Sequence, residues 1–420
     1  MTSEPERRVT LGIKANLSQF ILLVVVNALV GAMVGFYALV PLIGQRDFGL
    51  TSNLILLSYI FSFGLSKAFC NYYAGRLADT YGRRRLLILG WILGVPVPII
   101  IILAPSWGWI VFANFLLGMN QGFAWSMTVI MKVDLVGPER RGLAMGLNEF
   151  AGYLAVSITL LVSGVIAARY ALRPEPFYLG LGFAAFGLSL SALKVKETRK
   201  YALFEAQKSL NNAKSRDVIA DMQAPSSIFR FTTFQDHALS SSCFAGLVNN
   251  LIFGMSWGLF PLLYASHGVG VDVINLIKAL YPGVWGILQL GTGPLSDKVG
   301  RKWLIVAGQL VQAGGLWLTA ASSQVPPWMV ATALLGIGTA LVYPSLLAAV
   351  GDVAHPSWRG TALGTYRFWR DIGYAVGAVL GGLLADFYSI PFAIEIIGLL
   401  TVLSAGVVAM RMYETRKPTQ

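Results

Sequence analysis

About twelve apolar segments, each close to 20 residues long, follow one another along this chain with little polar sequence between them. A helix of about that length is what a bilayer's hydrocarbon core demands. The segments begin near Leu17, Asn53, Arg84, Trp107, Gly142 and Pro176, then near His237, Asp272, Lys302, Pro326, Gly360 and Ser389; we number them spans 1 to 12. A helix satisfies its own backbone hydrogen bonds where no water can, so the pattern predicts an all-α membrane protein of twelve transmembrane helices. Composition agrees. Only 12% of the residues are charged, about half the fraction of a soluble domain. The first apolar run, Leu17 to about Gly44, is too long for the apolar core of a signal peptide and is expected to be retained. Cys70 and Cys243 both fall inside apolar runs, which argues neither a disulfide framework nor a metal site.

The net charge of +12 forms no stripe that would suit a nucleic acid; basic residues cluster between the apolar runs. Of the 32 Lys and Arg, 25 fall on one side if the spans alternate. They are Arg7, Arg8, Lys14, Arg76, Arg83 to Arg85, Lys132, Arg140 and Arg141, eight between Lys194 and Arg230, then Lys298, Arg301, Lys302, Arg359, Arg411, Arg416 and Lys417. The opposite loops hold only Arg46, Arg169 and Arg173. The positive-inside rule therefore predicts an inner (plasma) membrane protein with both termini cytoplasmic. The long polar stretch between the halves reads as a cytoplasmic linker with a surface helix. The expected organisation is a six-helix bundle over 1–195, a linker over 196–235 and a second bundle over 236–420.

The halves repeat. Gly75-Arg-Leu-Ala-Asp79-Thr-Tyr-Gly82-Arg83 returns as Gly293-Pro-Leu-Ser-Asp297-Lys-Val-Gly300-Arg301, 218 residues later. The same offset carries Asp134 to Asp352, Pro138 to Pro356, Arg141 to Arg359 and Gly146 to Gly364. A constant register across two separate motifs implies parallel repeats related by an axis along the membrane normal. Gly82 and Gly300 permit a tight turn, while Asp79 and Asp297 suit a nearby helix N-terminus. Arg83 and Arg301 need acids, and Asp134 and Asp352 lie on the same side. Clasps Arg83–Asp134 and Arg301–Asp352 are expected to hold a gate in one of two states; the bland alternative is that all are solvated anchors.

The G-x-L-x-D-x-x-G-R-[RK] element between spans 2 and 3, with its echo between spans 8 and 9, resembles the signature loop of the major facilitator superfamily. The resemblance covers essentially the whole chain. It implies two pseudo-symmetric six-helix bundles, spans 2, 5, 8 and 11 at the interface between them, spans 3, 6, 9 and 12 at the periphery, and transport by alternating access.

Ionisable residues within spans are costly and mark functional sites by default. Here they are Lys67 in span 2, Glu149 in span 5, Lys278 in span 8, and Arg367, Arg370 and Asp371 in span 11. Lys67–Asp371, Glu149–Lys278 and Glu149–Arg367 are three candidate pairs, and all six charges can be read as structural. Alternatively, four cations against two anions form a cavity attractive to an anionic solute, which Arg can bind bidentately. Glu149 and Asp371 are then candidate proton carriers. Softer candidates are Asn27, Asn249 and Asn250 near mid-depth, and Gln121 and Trp125 on a span 4 stripe with Asn114, Gly118 and Thr128; each has a helix–helix hydrogen bond as its ordinary explanation. Tyr281-Pro282 and Tyr343-Pro344 suggest kinks, and Gly373, Gly377 and Gly381 a close-packing stripe.

These residues point to a secondary active transporter of a small anionic solute, proton-coupled and monomeric, with no enzyme activity, cofactor, metal or nucleic-acid partner expected. Two alternatives stand beside it. Proton-driven drug efflux is weakened by Gly146-Leu-Asn-Glu149-Phe-Ala-Gly152, which lacks the proline of the G-x-x-x-G-P-x-x-G-G element of the family's drug–proton antiporters. A non-transporting sensor or scaffold has no feature in its favour.

Overall fold

Each of the twelve segments forms helix. The computed structural model describes residues 10–137, 141–212, 225, 227–355 and 358–416. The basic anchors Arg7, Arg8, Arg140 and Lys417, the Pro138–Pro356 correspondence, the linker residues 213–224 and 226, and the Arg141 side chain lie outside the described residues.

In the first half spans 1 to 4 are broken. Span 1 is Leu17–Ala32 and Val40–Phe48, joined by a stretch that closes i→i−3 bonds such as Val34 N–H to Gly31 and Tyr37 N–H to Val34. Span 2 is Asn53–Leu56 and Ser58–Tyr81. Span 3 divides at Pro96 into Arg83–Gly94 and Pro96–Leu103, as a proline missing its N–H predicts. Span 4 is Trp107–Asn120 and Ser126–Val136 around a π-helical turn, Gln121–Trp125. Spans 5 and 6 are Arg141–Arg169 and Glu175–Leu193. A linker helix, Arg199–Asn212, follows.

Spans 7 to 12 are single helices: His237–Ser266, Val271–Val299, Lys302–Ala321, Val325–Val353, Arg359–Phe387 and Ile390–Arg411. Pro282 and Pro344 sit inside two of them without interrupting the helix. Eight of the described helices are long and apolar enough to cross a bilayer alone. The other four spans fall short for local reasons: spans 1 and 4 are interrupted, and spans 2 and 11 carry the charges that the sequence places at depth.

Packing is pseudo-symmetric. Span 1 lies against span 5 as span 7 does against span 11; span 4 joins spans 2 and 3 as span 10 joins spans 8 and 9. Small residues allow the closest approaches. A Cβ on Gly31 would lie 2.2 Å from the Gly152 carbonyl oxygen, and one on Gly373 or Gly377 the same distance from those of Leu247 or Leu251. Spans 3, 6, 9 and 12 turn large apolar side chains outward, including Leu103, Phe186, Leu310 and Leu403. Such exposure is tolerable in lipid and not in water.

The halves meet along two seams, span 2 on span 11 and span 5 on span 8. At the face away from the termini both are closed. The Asp386 carboxylate accepts bonds from the Ser52 hydroxyl and the Asn53 backbone N–H, both at 2.6 Å, and from Leu54 N–H at 3.0 Å. The Ser157 hydroxyl donates to the Ala279 carbonyl at 2.8 Å. Toward the terminal face the second seam opens: a Cβ on Gly146, Gly291 or Gly293 would meet nothing within 4 Å.

Candidate functional site

The π-turn of span 4 adds a residue to one turn of helix, a device common at functional sites. Here it directs Gln121 and Trp125 to a cavity between the halves, lined also by Lys67 and by a shell of aromatic rings, among them Tyr37, Phe63, Trp257 and Tyr374. The cavity encloses about 30 Å³, room for about one water. A solute therefore enters only if the halves move apart.

Lys67 is the cation at this cavity. Its ammonium lies 5.1 Å from the Tyr374 ring centroid and 5.3 Å from that of Phe63, within cation–π range. The expected Lys67–Asp371 pair does not form. Asp371, fully buried, is taken by its neighbour: Arg370 Nη2 lies 2.8 Å and Nε 3.1 Å from Oδ1. Asn71 donates to the other carboxylate oxygen, and Asn250 donates to Oδ1 at 3.3 Å. Asn71 in turn accepts the Ser126 hydroxyl at 2.6 Å. Arg370 also stands over the Tyr343 ring, 5.1 Å from its centroid.

Neither expected partner reaches Glu149. Lys278 donates to the Ser256 carbonyl at 2.8 Å and sits over the rings of Phe260 at 4.9 Å and of the cavity-lining Trp257 at 5.6 Å, without itself lining the cavity. Arg367 is half-buried and makes no ion pair among the described residues. Helix rotation explains both corrections, because depth alone places a side chain on no particular face. Glu149 Oε1 instead accepts Trp125 Nε1–H at 2.9 Å and Asn148 Nδ2–H at 3.1 Å, while its buried Oε2 has no hydrogen-bond partner among the described residues.

Other candidates serve packing. Asn27 donates to the Asn148 carbonyl at 2.6 Å and accepts from Thr128. Asn249 accepts from Gln312 at 2.7 Å. Asn114 bonds its own helix at the Ile110 carbonyl. Lys132, counted in the sequence among solvated anchors, is fully buried and donates to the Leu23 carbonyl at 3.2 Å; it is a buried cation that the sequence did not single out.

At the terminal face each repeat builds the same cluster. Gly82 and Gly300 take φ of +94° and +95°, the left-handed region that favours glycine. Arg83 Nε and Arg301 Nε each lie 3.2 Å from an oxygen of Asp134 and Asp352. Asp79 and Asp297 pair with the same arginines, at 2.9 and 2.6 Å. Among these acids it is not the aspartates that reach the helix N-termini. Glu197 accepts the N–H groups of Arg83 and Arg84, and Glu414 those of Arg301 and Lys302. Burial opposes the Glu197 charge, but the N–H groups of Arg199, Arg84, Arg83 and Thr198 hold its carboxyl below the ordinary range. Thr198 and Thr415 donate to Asp134 and Asp352, at 2.7 and 3.2 Å. Glu-Thr-Arg-Lys at 197–200 recurs at 414–417, one residue off the 218 register, so a search at that offset passes over it. Gly75 and Gly293 have open space around them.

The family model described as Major Facilitator Superfamily matches residues 17–234 and 242–420. The chain is 24% identical over 360 residues to the uncharacterized MFS-type transporter MJ1560 of Methanocaldococcus jannaschii, covering 85% of this chain and 88% of that one. It is 22% identical over 392 residues to the multidrug resistance protein MdtG of Enterobacter lignolyticus, covering 90% and 87%. The human organic anion transporter MFSD10 superposes with a TM-score of 0.65 over 93% of this chain and 99% of that one. At 18% identity that likeness extends to the fold and not to the substrate.

Proposed function

This chain belongs to the major facilitator superfamily and is a secondary transporter, and from that premise we propose that it carries a small organic anion with a flat apolar body, together with protons, by alternating access. One observation carries the reading: a lysine ammonium at an aromatic-lined cavity between the halves, with no carboxylate paired to it among the described residues. An anion there gains the Lys67 charge in a low-dielectric setting, and its apolar body gains the rings. Arg370 is already neutralised by Asp371, so those two fix the seam and Lys67 binds. Glu149, bonded to the cavity-lining Trp125 and with a second oxygen that has no partner among the described residues, carries the proton. An anion on Lys67 and an ionised Glu149 repel each other, so the two loads travel together.

The rocking units are residues 1–195 and 236–420, joined by 196–235, in an inner membrane with both termini cytoplasmic. The clasps at Arg83 and Arg301 gate the cytoplasmic side. A second reading, efflux of lipophilic cations, draws on Glu149, the ring-lined cavity and the relative named as a multidrug resistance protein; the Lys67 charge opposes it. A thermal-shift comparison of purified protein with p-aminohippurate and with ethidium separates the two. Stabilisation by p-aminohippurate that disappears in Lys67→Gln is expected, and stabilisation by ethidium alone would overturn the anion reading.

A further inference from the structure

Lys132 has no place in the solute path. It is fully buried and bonded to a single backbone carbonyl, that of Leu23 in span 1. An ammonium kept in such a position without an acid partner is expensive, which asks for a use. Trp125, Thr128 and Lys132 follow one another at i, i+3 and i+7 along one face of span 4. A string of polar groups joins the first two and stops at Thr128, one turn from Lys132. Trp125 Nε1 and Asn148 Nδ2 donate to Glu149, Asn27 donates to the Asn148 carbonyl, and Thr128 donates to Asn27. Two buried oxygens in this string, Glu149 Oε2 and Asn148 Oδ1, have no partner among the described residues.

The string ends beneath a plug. Phe20, Val136 and Ala144, from spans 1, 4 and 5, form a small apolar cluster separate from the main core, with Ile13 and Leu147 packed against it. Val136 is one turn beyond Lys132 on span 4, and Phe20 about one turn from Leu23 on span 1. The plug thus lies between Lys132 and the cytoplasmic face.

We propose that the proton leaves by a route of its own inside the first bundle, from Glu149 to Lys132 and then past the Phe20–Val136–Ala144 plug to the cytoplasm. This rests on the proton-coupling reading above. In the transfer, the Glu149 carboxyl gives its proton to the neutral Lys132 amine, leaving a carboxylate and an ammonium; the ammonium then gives the proton to cytoplasmic water when the plug parts. Among the groups on elements packed against Lys132, span 1 brings no titratable side chain between Leu17 and Ala32. Span 5 brings Glu149 and Tyr153, span 3 brings Arg83 with its partner Asp134, span 2 brings Lys67, and the linker helix brings Tyr201 and Glu205.

The test uses full-length protein in proteoliposomes with trapped pyranine, with p-aminohippurate in one arm and ethidium in the other. In wild type an imposed pH gradient drives accumulation and the dye reports proton movement. In Lys132→Gln, solute exchange without a gradient is expected to persist while gradient-driven accumulation falls by about tenfold or more. Accumulation at the wild-type level in Lys132→Gln would overturn the route. If wild type moves no protons in either arm, the coupling reading itself fails; if Glu149→Gln abolishes coupling and Lys132→Gln does not, only the route fails. Should Lys132→Gln not insert, Phe20→Ala decides: an uncoupled proton leak supports the plug, and a tight variant overturns it.

Discussion

The two halves build the same clasp at the terminal face and enclose it differently. In the first, Arg83 and Asp134 are both buried, with side-chain exposures of 8% and 9%, and Asp79 is out in solvent at 72%. In the second, Asp352 is 25% exposed, and Asp297 is shared between Arg301 and Arg416. Arg301 also donates to the Ser296 hydroxyl, where Arg83 at the equivalent position donates to the Ala78 carbonyl. One half concentrates its electrostatics in a desolvated pair and the other spreads it over a partly wet network. A repeated motif therefore specifies which groups meet, while burial decides how much each contact matters.

The largest effect should follow Asp134→Ala, which leaves a buried guanidinium only the solvent-exposed Asp79 and the Ala78 carbonyl and is expected to cost about 3 kcal/mol, read as a lower unfolding temperature in detergent and slower uptake. Asp352→Ala should cost less, about 1–2 kcal/mol, because Arg301 keeps Asp297 and Ser296. A larger loss in Asp352→Ala than in Asp134→Ala would break the comparison.

Removing a helix cap comes next. Glu197→Gln should cost about 1 kcal/mol and remove a pH dependence. Since the folded carboxyl of Glu197 titrates below its ordinary value of 4.5, its contribution is complete above that value and disappears as the pH falls through the depressed one. Acid titration of unfolding temperature in wild type and Glu197→Gln should converge at low pH and separate above it. The smallest stability change belongs to Asp79→Ala, under about 1 kcal/mol for so exposed a pair. Its transport rate should nonetheless change, and an unaltered rate would count against a gating role for the loop.

Much of this was legible in the residues. The arginine–aspartate clasps could be anticipated because a 218-residue register puts like with like on one side of the bilayer. The buried charges resisted. Asp371 pairs with its sequence neighbour Arg370, although adjacent residues on a helix do not normally face each other; only the surroundings of span 11, with Asn71 and Asn250 on opposite sides, bring both onto one point. Glu149 faces Trp125 because a π-turn re-aims span 4, a change of phase with no mark in the hydropathy. Lys132 looked like an anchor because it lies near a helix end.

Apolar length, charge asymmetry and the repeat by themselves determined the all-helical class and the twelve spans, since a bilayer admits few solutions for backbone hydrogen bonds and charge; the family was legible in the resemblance of the Gly75–Arg83 element to a known signature loop. Which charges meet, which stay unpaired and where the cavity lies were decided by the rotation and crossing of the helices. Those depend on close contacts such as Gly31 on Gly152 and Gly373 on Leu247, made between residues far apart in the chain, and no one-dimensional pattern encodes an angle about a helix axis finely enough to predict them.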